Sequence, residues 1–417
     1  MAIIKPFKGL RPPKNIAQDV ACLPYDVMNT EEALKMAEGK KSSLLHITRA
    51  EIDFDKDIDI HDEKVYNKAK DNFNAFQEQG FLIQDAENHY YIYAQTMNGK
   101  TQYGIVGAAS CEDYKNGIIK KHELTRPDKE EDRKILTRSL VANIEPVFFT
   151  YRAVPEIDAI VSNIVTSKNP EYDFFAEDGF GHHFWVIEDA EVNITLEQLF
   201  KEKVPFTYVA DGHHRTAAAA GMSEEFQSKN PNHTGNEPYN FFMAVHFPDN
   251  QLQIIDYNRV VKDLNGLTSE KFLTKIEENF EITQTSDSIL NPEKLHDFTM
   301  YLDKKWYGLT AKKGTFDDNS PIDSLDVSVL SKYVLDPVLN IKDLRTDTRI
   351  DFVGGIRGLS ELSKRVDSGE MAVAFALFPV SMNQLMQIAD TNNIMPPKVT
   401  WFEPKLRSGL VINKIDA

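Results

Sequence analysis

The tightest constraint on how this chain folds is an Asn-Gly pair, Asn98-Gly99, set between two β-rich runs. His89–Thr96 is dense in tyrosine, and Gln102–Ala109 carries on in the same character. Asn-Gly between such runs favours a two-residue hairpin, because both central residues of that turn need positive φ. A tight hairpin makes its strands antiparallel, whereas parallel neighbours need a long crossover. Further strands are expected at residues 2–8, Leu44–Thr48, Val147–Arg152, His183–Ile187, Phe206–Ala210, Tyr239–Phe247, Gln251–Tyr257 and Met371–Phe378. Helices are expected after the Asn29-Thr30 cap through Ala37, over 62–80 and 129–143, from Arg215 onward, over Ser269–Phe280 and over 381–390. Strands and helices intermix without a repeating βαβ unit. That pattern defines an α+β class built on a mixed sheet, not a doubly wound fold.

The chain has 417 residues. At ~100–200 residues per domain it holds two or three structural units. We place soft boundaries so that 1–118 is an N-terminal α/β segment packed on a core at 119–265. A C-terminal α+β domain at 266–417 then closes the pocket, with Asn265-Gly266 marking the second boundary.

Charge narrows the function. The formal net charge is −17, from 64 acidic and 47 basic residues. A nucleic-acid binder needs a basic surface to displace counterions from phosphates, so DNA and RNA are not expected partners. No run approaches the ~20 apolar residues that span a bilayer, and Met1–Lys8 has no signal-peptide pattern. A cytoplasmic location is expected by elimination. The two cysteines, Cys22 and Cys111, are too few for a disulfide framework and are expected to be buried thiols.

Three segments carry chemistry. The first is Asp211-Gly212-His213-His214-Arg215-Thr216, where an apolar strand feeds an alanine-rich helix. A helix start presents unpaired amides and a positive dipole end to anions. Gly212 allows close backbone approach, and the Arg215 fork suits phosphate oxygens. His213 and His214 donate hydrogen bonds or carry protons, while Asp211 takes a proton, holds a tautomer or ligates magnesium. The same residues also read as an N-cap followed by packed histidines. Zinc is disfavoured here, because adjacent histidines seldom share an ion and no nearby Cys/His set completes four ligands. The second segment is Lys121-His122-Glu123-Leu124-Thr125-Arg126, in which Glu123 is either a general base or an ordinary exposed glutamate. The third is Met395–Lys405, where prolines hold Lys398 and Thr400 on a stiff, extended loop.

Asp-Gly-His-His-Arg after a strand, His122-Glu123 upstream and Pro397-Lys398-Val399-Thr400 near the C-terminus together resemble the free-serine kinases of the ParB/sulfiredoxin-like superfamily. From Phe7-Lys-Gly-Leu-Arg-Pro to Lys405-Leu406 the chain also resembles a broad prokaryotic family of unknown function with the same signature. The kinase resemblance spans roughly 119–417 and implies a ParB/sulfiredoxin-like core. It makes Glu123 the base for a serine hydroxyl, with His122, Asp211 and His213 as catalytic partners. Gly212, His214, Arg215 and Thr216 fall on the phosphate loop, and Lys398 and Thr400 on the loop that grips the amino acid. The implied partners are a small phosphorylated metabolite and a nucleotide, ADP or ATP, with Mg2+. The implied reaction exchanges phosphate between free serine, or a similar small hydroxyl metabolite, and the nucleotide in either direction. A phosphoserine phosphatase using water and a non-catalytic sensor are the alternatives. From Glu123 to Asp211 the chain runs 88 positions, which puts an insertion at 152–182, and Val399 stands where those kinases have a second threonine.

Overall fold

The computed structural model describes residues 1–416, which divide into two compact units. The first comprises Met1–Leu252 and Pro404–Ala417, the second Gln253–Glu403.

The hairpin forms where the Asn-Gly pair requires it. Tyr90–Met97 and Lys100–Ser110 pair antiparallel across Asn98 (φ 51°) and Gly99 (φ 76°). They lie inside a nine-stranded mixed sheet. From one edge its order is Ile119–Lys120, Thr207–Asp211, Val147–Tyr151, Phe241–Pro248, Lys100–Ser110, Tyr90–Met97, Gly181–Ile187 and Tyr172–Phe175, with Ile4–Lys5 added against Lys100–Ser110. Thr207–Asp211 runs parallel to Ile119–Lys120, and Phe241–Pro248 runs parallel to Val147–Tyr151; the other pairs are antiparallel. The fold is therefore mixed α/β with one large mixed sheet. A four-stranded sheet in the same unit joins Ile83–Gln84, Gly9–Arg11, Ile412–Lys414 and Ala142–Asn143. Cys22 and Cys111 are buried and unbridged.

Local rules explain the helices. Thr30–Ala37 begins with a capping box, in which Asn29 accepts from Glu32 N at 2.9 Å and Glu32 accepts from Asn29 N at 2.9 Å. Glu63–Glu78 buries Val65, Tyr66, Ala69, Phe73 and Phe76 on one face and is followed by Gly80 at φ 73°. Pro127–Leu140 opens on proline, which is suited to the first helical turn.

Leu44–Thr48 departs from expectation. It is a helical turn, Leu45–Thr48, and not a strand: Thr48 N and Arg49 N donate to Leu44 O and Leu45 O. Its apolar residues pack in the cluster that holds Phe73 and Phe76. A short apolar run has no periodicity that separates buried strand from buried helix, and tertiary packing decides. Within residues 2–8 the strand is Ile4–Lys5, ended at Pro6, which has no N–H to give a ladder, and Gly9–Arg11 is a separate strand past that range. Gln251–Tyr257 divides into Ile254–Ile255 and the longer Tyr257–Val261.

The second unit is built on a six-stranded antiparallel sheet. Its order is Phe280–Ser286, Lys305–Ala311, Asp297–Leu302, Val373–Leu377, Tyr257–Val261 and Ile350–Gly354. Helices Ser269–Asn279, Ser360–Asp367 and Met382–Asp390 belong to the same unit. Among the described residues no helix is long and apolar enough to cross a membrane.

His246 on Phe241–Pro248 is fully buried, its ring 5.5 Å from those of Phe149 and Phe200. Burial pushes its pKa down to about 3. The unfolded imidazole titrates near ~6.5, so between these values the unfolded chain binds the extra proton and stability falls as pH falls. We predict that His246→Leu flattens this acid loss. Urea midpoints at about pH 7 and about pH 4.5 should differ less in the variant than in the wild type; an equal drop would contradict the assignment.

Candidate functional site

The strand Thr207–Asp211 delivers the chain to Gly212, and the helix His213–Lys229 leaves from it. The helix begins two residues earlier than Arg215, the start expected from alanine content. Gly212 sits at φ 96°, a conformation that side-chain-bearing residues avoid. A Cβ there would also lie 3.1 Å from Val147 and 3.2 Å from the Arg215 guanidinium. The close approach at Gly212 is thus made by the protein's own side chains.

Asp211 ends the strand with its side chain 29% exposed. Its Oδ2 is 3.4 Å from Lys405 Nζ and 3.8 Å from Arg215 Nη2. Burial acts to raise this carboxyl's pKa, but the charges of Lys405 and Arg215 outweigh it and hold the group at about 2. Asp211 is therefore ionised at neutral pH.

Arg215 is buried. Its Nη1 donates to Pro146 O, and the negative charges of Asp26, Glu145 and Asp211 keep it protonated despite burial. A small cavity lined by Arg133, Asn143, Glu145 and Arg215 lies beside it. Thr216 is also buried, and its hydroxyl donates to Gly212 O at 3.0 Å. His214 Nε2 accepts from Arg126 N at 3.2 Å, which ties this loop to the start of Pro127–Leu140.

That tie brings in the second motif. His122 and His213 are buried and meet edge to face with ring centroids 4.6 Å apart. Glu123 Oε2 lies 3.9 Å from His213 Nδ1. Burial drives His122 down to about 4, against the opposing effects of the Asp211 charge and a hydrogen bond with the Val209 backbone. Burial, then the neighbouring His122, drives His213 well below the usual histidine range. Both imidazoles are neutral at pH 7.

Six of the residues expected from the sequence thus cluster around Gly212 in the first unit: His122, Glu123, Asp211, His213, His214 and Arg215. Lys398 and Thr400 belong to the second unit, where Lys398 O accepts from Arg259 Nη2 at 2.8 Å and Lys398 Nζ lies 5.8 Å from the Tyr257 ring centre. Lys398 has φ 58°. The sequence assigned no role to Lys405, the partner of Asp211. The two are 194 positions apart, and no local pattern marks such a pair.

The fold and site together define a mixed α/β protein with a His/Glu/Asp cluster at a strand-to-helix turn. A profile of the family described as "Protein of unknown function (DUF1015)" matches residues 4–328, and the chain belongs to that family. No curated protein matches the sequence. Among solved structures, a free serine kinase mutant in complex with AMP is similar at TM-score 0.37 and 9% identity, covering 74% of this chain and 92% of that one. A conserved hypothetical protein from Pyrococcus furiosus is similar at TM-score 0.32 and 12% identity, with 72% and 90% covered. SbnI with C-terminal truncation, from Staphylococcus aureus, is similar at TM-score 0.31 and 12% identity, with 73% and 85% covered.

Gly212→Ala should destabilise the first unit by about 1–2 kcal/mol, the cost of forcing a side-chain-bearing residue into left-handed backbone. Chemical denaturation checks this, and an unchanged midpoint would contradict it.

Proposed function

We propose that the cluster around Gly212 is a phosphotransfer site, which exchanges a phosphoryl group between a small hydroxyl metabolite of the serine class and a nucleotide. The observation that carries the proposal is the 3.9 Å approach of Glu123 to His213, which joins two motifs lying far apart in sequence. Those two motifs carry the resemblance to free-serine kinases, and a ParB/sulfiredoxin-like core is part of the same proposal. The assignment of Lys398 and Thr400 to the substrate rests on the resemblance alone.

The chemistry is consistent with the residues. Phosphoryl transfer is mostly positioning plus neutralisation of phosphate charge. Lys405 stands at the turn with Asp211 as its partner, and the first amides of His213–Lys229 have no side-chain cap. These groups would receive the phosphate, while Glu123 takes the hydroxyl proton as the new O–P bond forms and the phosphoryl group's P–O bond to the departing nucleotide breaks, and returns it in reverse. Arg215, bonded to Pro146 O, shapes the loop from beneath. Mg2+ demands oxygen ligands, and two neutral histidines make a poor set for it. It would instead arrive on the nucleotide, held by phosphate oxygens.

The test is serine release from O-phosphoserine with Mg2+, with and without AMP or ADP. The proposal expects release only with nucleotide and a loss of at least about 100-fold in Glu123→Ala, the scale of a missing general base. Release without nucleotide would establish a phosphatase instead. Nucleotide binding with no turnover would establish a sensor.

A further inference from the structure

His122, Glu123 and His213 form a second kind of site within this cluster, one that shares Glu123 with the phosphotransfer reading but adds a metal that this reading does not require. One donor atom from each residue lies within 4.8 Å of the other two. Two come from the segment after Ile119–Lys120 and one from the first position of His213–Lys229. These two elements are fixed to one another, because Thr207–Asp211 pairs in parallel with Ile119–Lys120 and His214 accepts from Arg126 N. His213 is thus carried on a helix start, while His122 and Glu123 lie on the bend just past the strand Ile119–Lys120.

We infer that His122, Glu123 and His213 bind a divalent first-row transition ion of the zinc type, with one coordination position left open.

Three features support the site. The donor set is two imidazoles and a carboxylate, which suits zinc-type ions and occurs in open zinc sites; magnesium and calcium prefer oxygen alone. His122 is oriented by its hydrogen bond with the Val209 backbone, the kind of outer contact that fixes a ligand ring. His213 is only 7% exposed, and its Nε2 has no hydrogen-bond partner among the described residues. Its Nδ1 faces Glu123 across 3.9 Å, too wide for a hydrogen bond.

The spacing fits with a small contraction. A tetrahedral ion with bonds near 2.1 Å holds its donors roughly 3.4 Å apart. The histidines are packed, whereas the Glu123 side chain is 37% exposed and has room to close the gap. The sequence argument against zinc noted that no nearby Cys/His set completes four ligands, and it rested also on His213 and His214 being adjacent. The fold removes that objection, because the partners of His213 are His122 and Glu123 while His214 is bonded to Arg126. With three protein donors the open position would take water or an oxygen of an anionic ligand. One Glu123 oxygen suffices for the ion, and the other stays available to accept a proton.

The test uses the full chain stripped with a chelator and titrated with Zn2+ or Co2+ alone, without substrate. We expect one ion per chain, a cobalt visible absorption band showing nitrogen ligation, and no displacement by excess Mg2+. Glu123→Gln and His213→Ala should each weaken binding by at least about tenfold, no less than the loss of an outer-shell partner produces. Circular dichroism checks that the variants fold; if His213→Ala does not, the near-isosteric Glu123→Gln decides alone. No binding by the wild type, or equal binding by wild type and Glu123→Gln, would overturn the inference. Because no phosphate ester is present, this result is separate from the outcome of the serine-release assay.

Discussion

A carboxylate at the end of a buried strand has to be paired, and the arrangement of the site follows from how Asp211 is paired. Lys405 reaches it from a segment near the C-terminus, and Arg215 reaches it from the helix that starts just beyond. With both cations present the carboxyl stays ionised although burial opposes this. A side chain at Gly212 would crowd Arg215, so the glycine and the ion pair belong together. Removing one partner of such a cluster leaves an uncompensated charge, which costs more than the pair contributes.

The same turn sets the histidines. Starting the helix at position 213 places His213 against His122, and both rings are buried. Desolvation then keeps both rings neutral. Neutral imidazoles are hydrogen-bonding and metal-binding groups, not counter-charges for phosphate. The positive charge at the turn is left to Lys405 and the helix amides, while Arg215 is committed to Pro146, Asp211 and Glu145.

Much of this is legible in the sequence where a local rule decides. Asn98-Gly99, the Asn29 and Glu32 capping box and the apolar face of Glu63–Glu78 each follow from short-range physics. Leu45–Thr48 was not legible, because so short a run carries no period and the packing of Leu45 and Ile47 in the cluster of Phe73 decides the backbone. The candidate site divides the same way. The turn Asp211-Gly212-His213 is a strong local pattern, and Glu123 is reached by joining two motifs. Lys405 has no local signal, since residues 404–417 return to the first unit only after 151 residues of the second. Arg215 looks from its residue type like a ligand fork, and only the fold reveals that it is bonded inward.

The central claim is that the turn at Asp211 and Lys405 is a phosphate cradle. The most direct measurement is calorimetric titration of O-phosphoserine, without nucleotide, into the wild type and Lys405→Met. Saturable binding by the wild type, weakened at least about tenfold in the variant, is what a charge-assisted phosphate contact predicts. Equal affinity in the two proteins would contradict it, and would place the phosphate, if it binds at all, away from this turn.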